Sequence, residues 1–129
     1  SRPLAQRIIR QRQRQPIKSS YDLAQIIRSF YDARKIKSHH DPATKIFMAL
    51  RIAVNNEFAN LNKALQASLD TIKTNGRVVV ITFHSGEDRL VKNFIRNSHL
   101  KSLKLSPSRN EIKSNPLSRS AILRSYTIS

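Results

Sequence analysis

The chain has 129 residues, enough for one domain with a modest buried core. Its 24 Lys and Arg outnumber 8 Asp and Glu, and this net charge of +16 predicts a polyanionic partner, most simply nucleic acid. The absence of cysteine excludes disulfides and thiolate metal sites, and no apolar run approaches the ~18 residues of a membrane-spanning helix.

The N-terminal part predicts two helices. Residues 3–15 form an arginine-rich helical pattern with a narrow apolar stripe, whose cationic face is either simply solvated or a phosphate-contacting surface. Pro16 ends this helix. Ser19 or Ser20 then caps a second helix, with Asp22 favourably placed in its first turn.

A polar, basic linker follows at residues 34–40 and contains the pair His39-His40. Adjacent histidines invite a metal interpretation. Because the chain has no cysteine and no third histidine lies nearby in sequence, we expect a solvated linker and no metal site.

Residues 41–73 carry apolar side chains at steps of three and four, which predicts a long helix packed on a sheet. Asn55-Asn56 interrupts the pattern and indicates either a kink or two abutting helices. Arg51 and Asn55 are four residues apart and share a helix face. They are either a structural hydrogen-bonded pair or part of a site.

The centre of the chain predicts a strand followed by a helix. The β-branched run Val78–Phe83 is typical of a strand buried on both faces. Ser85, followed three residues later by Asp88, predicts a capping box at the start of the helix. Ligands of open parallel sheets bind beyond the carboxyl ends of the strands, here residues 82–85. His84 is therefore either a substrate contact or a structural histidine held in one tautomer.

The C-terminal part predicts a hairpin. Residues 100–105 alternate in the manner of an edge strand, and residues 120–128 indicate a closing strand antiparallel to it. Between them lies a loop at 107–116, in which Ser108 and Glu111 are spaced to cap a helical turn. We expect this hairpin to lie beside Val78–Phe83.

Four stretches in this order resemble one family, the bacterial 16S ribosomal RNA cytosine-N4 methyltransferases (MraW/RsmH). The most specific are FHSGEDRLVK at 83–92 and NPLSRSAILR at 115–124; the others are residues 40–57 and Pro107-Ser108 with Glu111. The resemblance covers nearly the whole chain and looks like the C-terminal half of the family. Gly86 stands where the family usually has Leu.

This resemblance implies an α/β fold, the C-terminal part of a class I Rossmann-like methyltransferase sheet. Residues 1–40 would be part of its helical substrate-binding insert, and residues 41–129 the C-terminal half of the Rossmann-like domain. It also implies S-adenosylmethionine as cofactor and the exocyclic amine of a decoding-centre cytidine as target. The family's glycine-rich cofactor turn lies upstream, and this chain has only Gly76 and Gly86. We therefore expect no cofactor site in it, and no activity from it alone.

The candidate site residues all lie within these four stretches. His84 is the candidate catalytic residue, and the candidate substrate- or RNA-binding residues are Arg51, Asn55, Ser85, Glu87, Arg89, Arg119 and Arg124. For Ser85 and Glu87 helix capping is the competing role, and for Arg119 and Arg124 a structural contact. No metal ligand is expected.

The expected partner is 16S rRNA in the small ribosomal subunit, in the cytoplasm, without a membrane. The chain begins with Ser rather than Met, which we interpret as a piece of a longer protein. Its exposed sheet edge would then favour a homodimer or marginal stability. The alternative function is a stand-alone basic RNA-binding module, against which the buried strand argues; a purely helical interaction protein is a third option.

Overall fold

The computed structural model of the chain describes residues 2–128, which divide after Asn55 into two compact units. The described part is of the α/β class, with six α-helices and one three-stranded antiparallel sheet. Each unit has its own hydrophobic core. No helix among the described residues combines the length and the apolar character needed to cross a bilayer.

The first unit is helical. It consists of α1 (Arg2–Arg14), α2 (Ser20–Ala33) and α3 (Pro42–Val54). Ser19 caps α2 as predicted: its hydroxyl accepts from the Asp22 amide at 3.1 Å, and the Asp22 carboxylate accepts from the Ser19 amide at 3.1 Å. Apolar side chains from all three helices form the buried core, namely Leu4, Ala24, Ile27 and Ala43.

The start of α3 is tied to α2 by an ion pair. Asp41 caps α3 by accepting from the Ala43 amide at 3.0 Å. The guanidinium of Arg28 also donates to the Asp41 carboxylate, and this hydrogen bond holds the pKa of Asp41 below its usual value. The side chains remain about 40% exposed, so this pair orients the two helices more than it stabilises them.

The predicted long helix is two helices. Asn55 is the C-cap of α3, and α4 (Glu57–Thr71) begins after Asn56, whose φ of 51° lies in the left-handed region. Asparagine tolerates this region better than most residues. The alternative of two abutting helices is therefore confirmed.

The second unit contains the sheet. Its strands are β1 (Arg77–Thr82), β2 (Ser102–Leu105) and β3 (Ile122–Thr127), in the order β1-β3-β2. The predicted hairpin beside the first strand is confirmed. Helix α5 (Ser85–Asn97) follows β1 and packs on β1, β3 and α4. The core is formed by Leu65, Val91, Phe94, Ile95, Tyr126 and Ile128.

The prediction that Val78–Phe83 is buried on both faces is wrong for this chain. Val79, Ile81 and Phe83 are each more than half exposed, and within residues 2–128 the one strand paired with β1 is the antiparallel strand β3. The strand register places Leu103 and Leu105 of β2 on the same face of the sheet as Val79 and Ile81, and both are at least half exposed. Composition reveals how apolar a strand is, but it does not reveal what covers it.

A short segment between β2 and β3 completes the second unit. Ser108 caps α6 (Arg109–Ser114) by accepting from the Glu111 amide at 3.1 Å, which confirms the predicted cap. A 3₁₀ turn at Pro116–Ser120 then leads into β3. The predicted loop is thus largely helical.

Candidate functional site at the turn between β1 and α5

At the β1–α5 turn, residues 83–87, two side chains accept hydrogen bonds from the backbone N–H groups. His84 is extended, with φ −139° and ψ 158°, and its Nδ1 accepts from the amides of Gly86 at 3.2 Å and Glu87 at 3.3 Å. In return, Glu87 Oε2 accepts from the amides of Phe83 at 3.0 Å and His84 at 3.4 Å. The turn is therefore a closed capping box that fixes the direction in which α5 leaves the strand.

The box is shifted by one residue from the predicted one. His84 is the cap and Glu87 the acid, whereas Ser85 already lies inside the helix and is exposed. Imidazole Nδ1 lies two bonds beyond Cβ, as the side-chain oxygen of Asn or Asp does, so it can reach the same amides. A sequence pattern that looks for a hydroxyl does not detect this cap.

The cap determines the tautomer of His84. A ring nitrogen that accepts two N–H bonds carries a lone pair, so the proton of the neutral ring lies on Nε2. Nε2 is buried without a hydrogen-bond partner among the described residues, and Glu87 Oε1 lies 3.4 Å from it. The edge of the Phe58 ring packs against the imidazole, with centroids 5.7 Å apart.

Glu57, in the first turn of α4, joins these two residues to form the His84 cluster: Glu57, His84 and Glu87. Their ligand-type atoms lie within 4.8 Å of one another. A metal ion on Nε2 would need its lone pair, and ligating histidines normally donate their other N–H, which this cap prevents. The cluster is therefore better suited to hydrogen bonding, with one N–H donor and carboxylate acceptors, than to binding a metal ion.

Sequence reasoning missed Glu57, since it left the break at Asn55-Asn56 as one of two options and assigned no helix start to this residue. The available signal was an acid directly after Asn56, where a second helix would begin. His39 and His40 are exposed, and within residues 2–128 neither belongs to a cluster of metal-ligating side chains.

Gly86 makes room for this packing. A Cβ at this position would lie 2.7 Å from Phe58 Cζ and 3.2 Å from the ring of His84. The closeness of Phe58 and His84 thus depends on the absence of a side chain at Gly86.

Asp88, the acid predicted to close the box, instead binds Arg124 of β3. Arg124 Nε donates to Oδ1 at 2.7 Å and Nη2 donates to Oδ2 at 3.1 Å. The hydrogen bond from Arg124 lowers the pKa of Asp88, with smaller contributions from the charges of Lys104 and Lys92. Of the two roles predicted for Arg124, this bidentate pair supports the structural one.

The remaining candidates are exposed. Ser85 and Arg89 lie four residues apart on α5 and so share a face beside the turn, while Arg119 lies on the 3₁₀ turn. Arg51 and Asn55 belong to the first unit, at the last turn and C-cap of α3. The structure therefore brings His84, Ser85, Glu87 and Arg89 together at the β1–α5 turn and the adjoining start of α5.

Comparison with known proteins gives a consistent result. The sequence model of the MraW methylase family matches residues 1–128. Proteins named ribosomal RNA small subunit methyltransferase H are 40% identical in Wolbachia of Drosophila simulans, 42% in Neorickettsia sennetsu and 44% in Rhodopirellula baltica, each over 96% of this chain. The chain spans only 45%, 43% and 39% of those relatives, respectively.

Proposed function

Because the chain belongs to the MraW methylase family, we propose that it is the C-terminal part of an enzyme that methylates 16S ribosomal RNA. The proposed reaction is transfer of a methyl group from S-adenosylmethionine to N4 of a cytidine in the decoding centre. The observation that carries the proposal is the family match over residues 1–128, supported by rRNA methyltransferases about 40% identical over 96% of the chain.

The β1–α5 turn does not fit the cofactor by itself. At the β1–α5 turn the amides of Phe83, His84, Gly86 and Glu87 are already bound by the capping box. These amides are therefore not available to bind an anionic or ribose group of the cofactor, and the chain has no glycine-rich turn. The cofactor supplies the methyl group when bound, and we place its site in the part of the relatives that this chain does not cover.

The His84 cluster is suited to the edge of a cytosine. The exocyclic amine of cytosine donates hydrogen bonds, which a carboxylate can accept. Because the lone pair of this amine is delocalised into the ring, the enzyme must orient the amine and remove a proton from it. The Glu87 side chain is 23% exposed, and its Oε1, which takes no part in the capping box, lies 3.4 Å from Nε2 of His84. In this proposal Glu87 accepts from the amine of an extruded base, and His84 positions that carboxylate.

RNA contacts are proposed for the exposed polar and basic candidates Arg51, Asn55, Ser85, Arg89 and Arg119. A net charge of +16 supports phosphate binding, whose affinity falls steeply with salt. The proposed partner is the small ribosomal subunit in the cytoplasm. Arg124 is assigned to the Asp88 pair rather than to RNA.

The proposed domain organisation places residues 1–40 in a helical substrate-binding insert and residues 41–129 in a Rossmann-like domain, although α3, at the start of the second range, packs in the first compact unit. The exposed face of the sheet, formed by Val79, Ile81, Leu103 and Leu105, supports a second layer supplied from outside this chain. In the chain by itself, the same face and the open edge of β1 favour a homodimer.

The test is the identity of the methylated nucleoside. The chain is joined to the upstream half of the Wolbachia relative, supplied with unmodified small subunits, and the digested RNA is analysed by mass spectrometry. We expect N4-methylcytidine, strongly reduced by Glu87→Gln, which keeps the cap acceptor. RNA binding with no methylated nucleoside in the joined protein would favour the alternative, a basic RNA-binding module.

A further inference from the structure

A basic groove runs between α1 and α2, far in sequence from the β1–α5 turn. This α1–α2 groove has a volume of about 320 Å³ and is lined by Arg7, Arg10 and Arg34, together with Phe30, Gln6 and Ser29. No lining residue is acidic. The volume is at the lower end of the range for small-molecule sites, so it suits one nucleotide unit better than a folded partner.

The arginines of α1 are not neutralised. Arg7 and Arg10 are three residues apart, which places them on one face of α1, and both are exposed. Helix α1 contains no acidic residue, and among the described residues neither arginine forms a salt bridge. Two adjacent guanidinium groups without a carboxylate form a site for phosphate oxygens.

The opposite wall of the groove adds a flat surface. The guanidinium of Arg34, the C-cap residue of α2, lies over the Phe30 ring at 4.6 Å from its centroid. Tyr31 supports that ring edge-on, with centroids 6.0 Å apart. A guanidinium stacked on one side keeps its other face for an unpaired base, and single-stranded RNA is commonly bound in this way.

We propose that the α1–α2 groove is a binding site for single-stranded RNA. Arg7 and Arg10 bind backbone phosphates, and the plane of Arg34 on Phe30 stacks against one unpaired base. The proposal rests on RNA being the substrate of the proposed function. It concerns RNA binding alone, so it can be tested on the 129-residue chain without methyl transfer.

The phosphate contacts are tested by the double variant R7Q/R10Q. Each phosphate contact to a single strand contributes about 0.7 to the slope of log K against log salt, so the slope should fall by about 1.4 and the affinity at 0.1 M salt by about 25-fold. The matched control is R12Q/R14Q, which removes two charges from the same helix outside the groove. Fluorescence anisotropy with a short single-stranded RNA measures both, and circular dichroism checks folding.

The stack is tested by Arg34→Lys, which keeps the charge and removes the plane. Loss of one stacked base should weaken binding of single-stranded RNA about fivefold to tenfold, with duplex RNA of the same length almost unaffected. Equal loss for both RNAs would overturn the stacking role.

Two results would overturn the groove itself. One is an R7Q/R10Q slope and affinity equal to those of R12Q/R14Q. The other is binding of the chain to anionic lipid vesicles without binding to RNA. Either result leaves the methylation test of the joined protein unaffected, and a failure of that test leaves the RNA-binding measurement interpretable.

Discussion

Arg124 and Asp88 connect the central strand β3 to α5 through two parallel hydrogen bonds of 2.7 Å and 3.1 Å. Their side chains are only 11% and 16% exposed. Since Asp88 comes directly after Glu87, this pair also fixes the helix turn that carries the candidate site. Truncating either partner would leave a charge in a largely buried position.

The pair predicts a specific pH dependence of stability. Its hydrogen bonds lower the folded-state pKa of Asp88, so its stabilisation is complete above the unfolded-state pKa of about 3.9 and is lost as the pH falls through the lower folded value. Asp88→Asn should reduce the free energy of unfolding at pH 7 by about 1–2 kcal/mol and remove that acid step. Denaturant unfolding at several pH values measures this free energy. The control is Asp70→Asn, which changes an exposed residue of α4. An unchanged acid step in Asp88→Asn would contradict the assignment.

Because His84 caps α5, we expect His84→Asn and His84→Ala to differ in stability. Asn keeps an acceptor for the Gly86 and Glu87 amides and should cost only a few tenths of a kcal/mol, whereas Ala should cost about 1 kcal/mol. Thermal unfolding of the two variants measures the difference. In wild type, proton–nitrogen correlation spectra of the neutral imidazole should show the Nε2–H tautomer. Equal stability of both variants, or a proton on Nδ1, would refute the cap.

The sequence predicted those features that depend on local chemistry. Ser19, Pro16 and Ser108 mark helix ends because their backbone consequences act within a few residues. The position of the candidate site at the end of the first strand follows from the general rule for parallel sheets, and it stays a prediction. What covers a strand depends on distant residues, so the exposure of Val79 and Ile81 could not be predicted. The meeting of Glu57 with His84 required the helix break at Asn56, which sequence left as one of two options.

We expect substitutions at Gly86 and Phe58 to be coupled sterically. An alanine Cβ would lie 2.7 Å from Phe58 Cζ, so Gly86→Ala should displace the ring and cost about 1 kcal/mol or more. Because the neighbour is the end of a side chain, Phe58→Leu should recover much of that loss, which a double-mutant cycle quantifies. Gly76→Ala is the comparison, since its Cβ would meet the carbonyl oxygen of Lys73 at 2.7 Å as well as the Ile72 side chain, so shortening that side chain would leave the backbone clash in place. Additive effects of G86A and F58L would contradict the coupling.

The exposed sheet face predicts self-association of the isolated chain. Ile81 is 55% exposed beside other apolar side chains, so the wild-type chain should show concentration-dependent sedimentation and bind a hydrophobic dye. Ile81→Lys should reduce both signals. Leu117→Lys adds the same charge at an 84% exposed residue of the 3₁₀ turn, outside the strands, and should change neither. A wild-type monomer that binds no dye would show that this face needs no covering layer.

The most direct measurement of the central claim is methyl transfer from labelled S-adenosylmethionine to small ribosomal subunits. It compares the 129-residue chain with the same chain joined to the upstream half of a relative. We predict no transfer and no cofactor binding by the chain alone, and transfer by the joined protein that falls at least tenfold on Glu87→Gln, as expected for loss of about 1.4 kcal/mol or more of transition-state stabilisation. Cofactor binding by the chain alone, or transfer by the joined protein that Glu87→Gln leaves unchanged, would contradict the account.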